Sequence, residues 1–380
     1  MCFAYLKSAG NNYSYDVIKI SINSIKSVDR DFFIAEHINN WSGVLMLIKK
    51  QKYQKMTIIK QKKEKKVPIL IDIINISIER KDEKMTIAEI LKRVFEYHPD
   101  LGENYSGCDE VKQGDSSQEC TGIVSALVPT MEVIKKTIEL KANLLYVHEP
   151  TSYLTPDWPE WKADYECSVY NEKLKLINEN KIVVFRDHDH MHAHKPDSIF
   201  TGVLKYLGWL PYLTEEQKVP FGYVVEFPEA KKLKEINQEL LDKIGMNGLR
   251  FVGNPESKFK KIAFAGHLYP EAFIPAHFND DGSWSDYATE IIRTMEQDGI
   301  ECIIPGEIIE WTVLYYIRDG ISQGKNLACI NPGHFNWEEL GAKYARDWLE
   351  TLTENKVPIT YVPTGDLWNY QIRKNPVQED

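Results

Sequence analysis

From Met85 onward the apolar positions follow two alternating periods. Stretches with an apolar residue every three or four positions predict amphipathic helices over about 86–97, 131–141, 197–207, 229–245, 285–299, 307–319 and 336–354. Short runs rich in β-branched and aromatic residues predict strands over about 122–127, 143–147, 182–186, 248–252, 261–265, 301–304, 327–331 and 358–362. Strands and helices in alternation predict an α/β fold, with two linked α/β halves over residues 85–215 and 216–380 whose sheets are covered by helices. The halves should join near 210–220, where the prolines, Gly208 and Gly222 of "LGWLPYLTEEQKVPFG" interrupt both periods.

The first 84 residues read differently. They hold sixteen Lys and Arg against nine Asp and Glu, so a net of +7 precedes a remainder of −17. The run "KKQKYQKMTIIKQKKEKK" has no clean helical or strand period. Clustered lysines neutralise phosphates, which makes a nucleic-acid-binding arm one reading. The preferred reading is an upstream translation ahead of a protein that starts at Met85, because the codons of Lys81-Asp82 can spell a ribosome-binding signal.

Composition changes the picture little. The 380 residues, 43% of them hydrophobic, can bury a sizeable core. No run approaches the roughly 18 uninterrupted apolar residues of a membrane span, and the first residues lack a secretory pattern, so a cytoplasmic protein without membrane contact is expected. The six cysteines form no C-x-x-C pair, which argues against a disulfide framework or a thiolate zinc site.

The informative residues are polar clusters at the ends of predicted strands. "NLLYV" runs into His148-Glu149-Pro150, "KIVVF" into "RDHDHMHAH", and "ACINPG" into His334. In α/β sheets the strand carboxyl ends gather ligand-binding loops, so the three clusters are expected to converge on one site between the halves. His334 and Glu338 stand four apart at the start of a predicted helix, on one face, and imidazole with carboxylate is a standard divalent-metal pair. Glu339 lies roughly 100° further around that helix and should be no ligand. Four of the ten histidines fall within residues 188–194, interleaved with Asp187 and Asp189. That density points to at least one metal ligand there, with the others orienting ligands or moving protons. Adjacent side chains of an extended segment point opposite ways, so His148 and Glu149 can serve two different ions. Trp158, Trp161 and Tyr165 either wall a pocket for a flat ligand or pack beneath a loop.

With these motifs on the page, the chain from Met85 to its end resembles the Nif-three-like proteins, dinuclear metal centre hexameric proteins often called GTP cyclohydrolase I of type two. "MTIAEILKRVFEYHPDLGENYSGCDEVKQGD", "TGIVSALVPTMEVIKKTIELKANLLYVHEP", "GVLKYLGW", "LRFVGNPESKFKKIAFAG", "IIPGE" and "NPGHFNWEELG" occur in the family's order. The resemblance implies that His148 and His334 bind one metal, that Glu149 and His192 bind another, and that Glu338 bridges them. At the second metal this chain departs from the family in a balanced way. Glu149 stands where the family has the second histidine of His-His-Pro, and His192 where it has an aspartate, so ligand number and charge are kept. "AGHLYP" replaces a glycine-rich stretch and Trp311 replaces a histidine, while Glu307 keeps its place and is expected either to contact a metal-bound water or substrate or to open a helix.

Nitrogen and oxygen ligands without thiolate imply two divalent transition ions, zinc, iron or manganese. The function expected is metal-dependent hydrolysis of a small phosphorylated or heterocyclic substrate, with GTP cyclohydrolase chemistry as its sharpest version. Asp187, His188, Asp189, His190 and Glu307 are the candidates for proton transfer. The rival is a non-catalytic metal-binding scaffold, assembly factor or regulator. The resemblance also implies a homohexamer, and the acidic balance past Met85 disfavours nucleic acid as a partner.

Overall fold

The computed structural model describes residues 84–153, 157, 166–214, 222–269 and 274–372, and the backbone of seven strands within the first 83 residues. The chain divides after Glu83 into two units. In the first unit β1 (Cys2–Ala4) pairs antiparallel with β2 (Ile18–Ile20). There β3 (Ile25–Asp29), β4 (Phe32–Ala35), β5 (Val44–Ile48), β6 (Lys55–Lys60) and β7 (Asp72–Ser77) form an antiparallel meander.

The second unit opens with α1 (Ile87–Tyr97). Thr86 caps it by accepting from the Glu89 backbone N–H, and the Glu89 carboxylate accepts from the Thr86 N–H at 2.7 Å, a reciprocal capping box. Ile87, Ile90, Leu91 and Val94 form its buried stripe, and the helix stops at His98, the residue before Pro99. Next come β8 (Glu110–Gln113), β9 (Ile123–Ala126), α2 (Met131–Glu139), β10 (Leu144–Val147), α3 (Ser168–Glu179) and β11 (Val183–Arg186). Strands β9, β10 and β11 run parallel and are buried at every position, as crossover helices over both faces require. The chain continues through α4 (Asp189–Ala193), α5 (Ser198–Leu207), β12 (Tyr223–Lys232), α6 (Leu233–Ile244), β13 (Arg250–Val252) and β14 (Lys258–Phe264). It ends with the hairpin β15 (His277–Phe278) and β16 (Trp284–Ser285), then α7 (Tyr287–Asp298), β17 (Cys302–Ile304), α8 (Tyr315–Ser322), β18 (Ala328–Asn331), α9 (His334–Leu352) and β19 (Ile359–Tyr361).

Two five-stranded sheets result, in the orders β19-β9-β10-β11-β8 and β12-β14-β17-β18-β13. Each has a parallel centre, with one antiparallel edge strand (β8) in the first and two (β12 and β13) in the second, the α/β architecture expected. The last strand, β19, returns to pair parallel with β9, so the first sheet takes one edge from the far end of the chain. Residues of both sheets share one core with α5 and α9, including Leu144, Phe185, Ile262, Ile304, Leu204 and Leu340. The two helices approach closely at glycines: a Cβ on Gly202 would stand 3.0 Å from the Gly341 Cα, and one on Gly341 2.7 Å from Ile199. That approach fixes α9, and with it His334 and Glu338, against the rest of the unit.

Several elements differ from the periodicity. The expected helix 229–245 begins four residues later at Leu233, because β12 runs on to Lys232 along β14, with a register shift between Glu226 and Lys231 that accommodates Pro228. The expected helix 307–319 starts late: Leu268 donates to the Glu307 carbonyl and accepts from the Ile309 N–H, which holds 307–309 extended before a π turn at Glu310–Leu314. Helix α3 went unpredicted because one of its inward positions is Lys173, whose ammonium donates to the Thr151 carbonyl at 2.7 Å. Strands β8, β12, β15 and β16 and helix α4 were likewise not legible as periods. The expected join at 215–216 lies outside the described residues, as do Trp158, Trp161 and Tyr165. Among the described residues no helix is long and apolar enough to cross a membrane.

Candidate metal centre

His148 and Glu149 follow β10, the Asp187–His192 segment follows β11, and His334 opens α9 directly after β18. All are carboxyl ends of parallel strands. The structure brings the five expected metal ligands together around Glu338. Its Oε2 lies 3.2 Å from His334 Nε2 and 3.5 Å from His148 Nε2, and its Oε1 lies 3.8 Å from His192 Nε2. Glu149 Oε1 is 3.2 Å from His334 Nε2. The resemblance groups His148 with His334, and both present Nε2 to Glu338 Oε2; the geometry also sets Glu149 against His334 and the His148 ring 4.9 Å from that of His192. Consecutive residues leaving a strand face different ways: Glu149 turns to His334, while the His148 ring packs against His192 of α4 and reaches Glu338 of α9 through Nε2.

The imidazoles are oriented from outside the cluster. His148 Nδ1 donates to the Asp187 carbonyl at 2.9 Å, and His192 Nδ1 donates to Asp197 Oδ2 at 2.8 Å. His334 Nδ1 is 3.3 Å from Glu307 Oε1, and the Glu307 N–H donates to His267 Nδ1 at 2.9 Å. Each ring therefore presents Nε2 inward, the arrangement by which proteins fix metal-binding histidines. Arg186, fully buried, donates through Nε to the His148 carbonyl at 3.0 Å and reaches within 4.0 Å of Glu149 and 3.9 Å of Asp157.

Glu338 and Glu149 are 2% and 6% exposed, where an ionised carboxylate is costly without strong partners. Burial opposes the charge on Glu338, yet His334 and His148 outweigh it and hold the carboxyl well below the usual range. Burial likewise opposes the charge on His334, but Glu338, Glu149 and Glu307 raise it well above an ordinary imidazole. His192 is desolvated as well, and Asp197 with Glu338 still lifts it to about 9.

The proton-transfer candidates separate by position. His188 stacks on His148 at 4.6 Å, and Glu307 sits at the rim, 59% exposed, on His334. Asp189 reaches the centre only through His188, whose Nδ1 it holds at 2.8 Å, while its other oxygen accepts from the Tyr105 hydroxyl at 2.8 Å. The Asp187 carboxylate faces away, toward the Tyr146 hydroxyl and His98 Nε2. His190 also faces away, with Nδ1 donating to Asp109 at 2.7 Å. Neither Asp187 nor His190 belongs to the group of ligand atoms around Glu338.

Sequence reading missed Asp109, Asp197, His267 and His98. Asp197, five residues past His192 in "HAHKPD", was available as a signal; Asp109 and His98 lie about 80 and about 90 residues away and had none. Glu339, expected merely to point elsewhere, is buried and accepts from the Tyr361 hydroxyl at 2.6 Å and the Thr364 N–H at 3.1 Å, tying α9 to β19.

The model of the family Duf34/NIF3 (NGG1p interacting factor 3) matches residues 85–267. A curated relative from Clostridium acetobutylicum, named GTP cyclohydrolase 1 type 2 homolog, is 26% identical over 231 residues, covering 59% of this chain and 75% of the relative. Among solved structures, a Bacillus cereus protein related to NIF3 superposes with a TM-score of 0.54 at 13% identity over 78% of this chain and all of that one. A Staphylococcus aureus hypothetical protein gives 0.51 at 18% identity, again over 78% of this chain and all of its own. These two share the fold. Family model, curated relative and fold agree with the motifs at His148 and along the first sheet, and it is the region from Met85 to His267 that matches the Duf34/NIF3 family model.

Proposed function

We propose that the chain holds two divalent transition ions among His148, Glu149, His192, His334 and Glu338 and hydrolyses a small phosphorylated or heterocyclic substrate beside them. One observation carries the reading. His148 Nε2, Glu149 Oε1 and Glu338 Oε2 are buried ligand atoms without a hydrogen-bond partner, and the three residues offer ligand atoms within 4.8 Å of one another. Buried polar atoms are normally satisfied, so a convergent unsatisfied set fits a cation. Bound ions of this class lower the pKa of water and polarise a substrate oxygen. Zinc, iron and manganese suit these donors. The protein's own part is to hold Nε2 of three rings inward, to exclude solvent with Arg186 and Glu338, and to offer Glu307 at the rim as a proton acceptor.

A cavity of about 360 Å³ adjoins His334 and Glu307 and is lined further by Arg250, Phe335, Trp368 and Tyr370. Its size suits a small molecule and favours catalysis over a closed scaffold. The name of the curated relatives supports a GTP cyclohydrolase reaction as the sharpest form of the proposal. The test is a substrate screen on full-length protein of defined metal content: turnover that requires metal and vanishes in Glu338→Ala is expected, and full loading without turnover favours the scaffold. By the same likeness we propose a hexamer. Light scattering that finds a monomer at micromolar concentration removes that part alone.

Protons compete with metal at this site. Asp197 and Glu338 lift His192 to about 9 and the facing carboxylates hold His334 well above the usual imidazole range, so both favour the protonated form before loading, and coordination needs them neutral. Loading at pH 7 should therefore release protons, and affinity should rise as pH increases toward about 9. Calorimetric titration in two buffers of different ionisation enthalpy measures the release; equal heats would contradict it. Glu339→Ala should lower stability by about 1–3 kcal/mol through the lost Tyr361 and Thr364 bonds while both ions stay bound. Urea denaturation combined with elemental analysis checks it, and loss of metal would show that Glu339 belongs to the centre.

A further inference from the structure

Three imidazoles meet beside Glu338. The ring centroids of His148 and His188 are 4.6 Å apart, those of His188 and His192 4.8 Å, and those of His148 and His192 4.9 Å. One ring nitrogen of each lies within 4.8 Å of the other two. All three rings are gripped through Nδ1 by different anchors: His148 by the Asp187 carbonyl, His188 by Asp189 and His192 by Asp197. With Nδ1 committed, each has Nε2 left for a common partner. His148 Nε2 is fully buried and has no hydrogen-bond partner.

The support beneath these rings is stiff. His192 stands four residues after His188 and donates its N–H to the His188 carbonyl at 3.1 Å, which puts both on one face. Asp109 grips the start of α4 by accepting from the N–H groups of His188, Asp189 and His190 at 2.7, 3.0 and 2.8 Å. Asp189, which orients His188, is itself held by Tyr105 and the Cys108 N–H. Beyond these three rings the donors are different in kind. There Glu149 and His334 stand 3.2 Å apart, one carboxylate and one imidazole.

We propose that the centre has two unlike halves, a nitrogen-rich one made by His148, His188 and His192 and an oxygen-rich one made by Glu149 and His334, with Glu338 shared. The inference rests on the metal-centre reading above and sharpens it: His188 is a third imidazole ligand rather than a proton carrier, and the halves select different ions. Imidazole suits zinc and the later transition ions, whereas carboxylate suits manganese, so zinc fills the first half and manganese the second.

The experiment uses metal-depleted full-length protein given one equivalent of zinc and then one of manganese. X-ray absorption at the zinc edge should count three imidazoles, and electron paramagnetic resonance should report one bound manganese. His188→Ala should weaken zinc binding about 10- to 100-fold, the range by which metal-site partners act, and leave manganese uptake unchanged. Glu149→Ala should do the reverse. One or two imidazoles on the zinc of the unmodified protein, a result independent of any variant's folding, overturns the inference, as does wild-type zinc affinity in His188→Ala. Two ions bound with no such asymmetry leaves the metal centre standing without its unlike halves; a wild-type chain that takes up neither ion overturns both.

Discussion

Glu338→Ala should reduce the metal content from two ions per chain to less than one, the largest loss of any single ligand. No other side chain of the centre lies within 4 Å of three different imidazoles: Oε2 serves His334 and His148, and Oε1 faces His192. It also supplies negative charge at the midpoint, where two cations would otherwise repel each other with little solvent to screen them. The remaining ligands should fail selectively. Glu149→Ala and His334→Ala should empty one position first, and His148→Ala and His192→Ala the other, following the two halves proposed above. Elemental analysis after gentle purification and after metal titration measures each case. Two ions retained by Glu338→Ala would remove the shared-ligand role. Glu338→Gln, which keeps the shape and drops the charge, separates a lost ligand from a collapsed site.

Arg186→Ala should cost about 3–5 kcal/mol of stability, the range for breaking a buried charge arrangement by removing one partner. Arg186 is 1% exposed at the end of β11, donates to the His148 carbonyl at 3.0 Å and lies between Glu149 and Asp157, both buried. Removing the guanidinium leaves two carboxylates facing a void and frees the His148-Glu149 backbone. Asp157 keeps the Thr151 N–H at 2.9 Å and the Thr151 and Ser152 hydroxyls, so Glu149 should be the group that moves. Urea denaturation of metal-free protein gives the stability change, and metal titration of the folded variant should show the Glu149 position weakened first. A change below about 1 kcal/mol would mean that solvent reaches these charges and that the arrangement is not a closed one.

The helices and strands with clean periods were legible residue by residue, because their burial pattern repeats within a single element. Thr86 with Glu89 announces α1, and the mostly apolar runs of β9, β10 and β11 announce a sheet covered on both faces. The same local logic reached His148, Glu149, His334, Glu338 and the histidine-rich segment 188–194, since strand ends and a four-residue helical spacing are short-range facts, while His192 within that segment was singled out by the family resemblance alone. Long-range placement was not available that way. Which imidazole stands beside which carboxylate depends on α9 seating against α5 at Gly202 and Gly341, and on β19 returning to β9 across more than 200 residues. Asp109 gripping α4, Arg186 turning under Glu149, and Glu339 bonding Tyr361 rather than facing solvent are contacts between distant segments that no period encodes. Lys173 makes the same point inside one helix, where a buried ammonium answered by the Thr151 carbonyl hides the stripe that would have revealed α3. Side-chain chemistry along the chain named the candidate ligands, and the packing of α4, α9 and two sheet ends arranged them, because hydrogen bonds and close contacts across the fold are decided only when its elements meet.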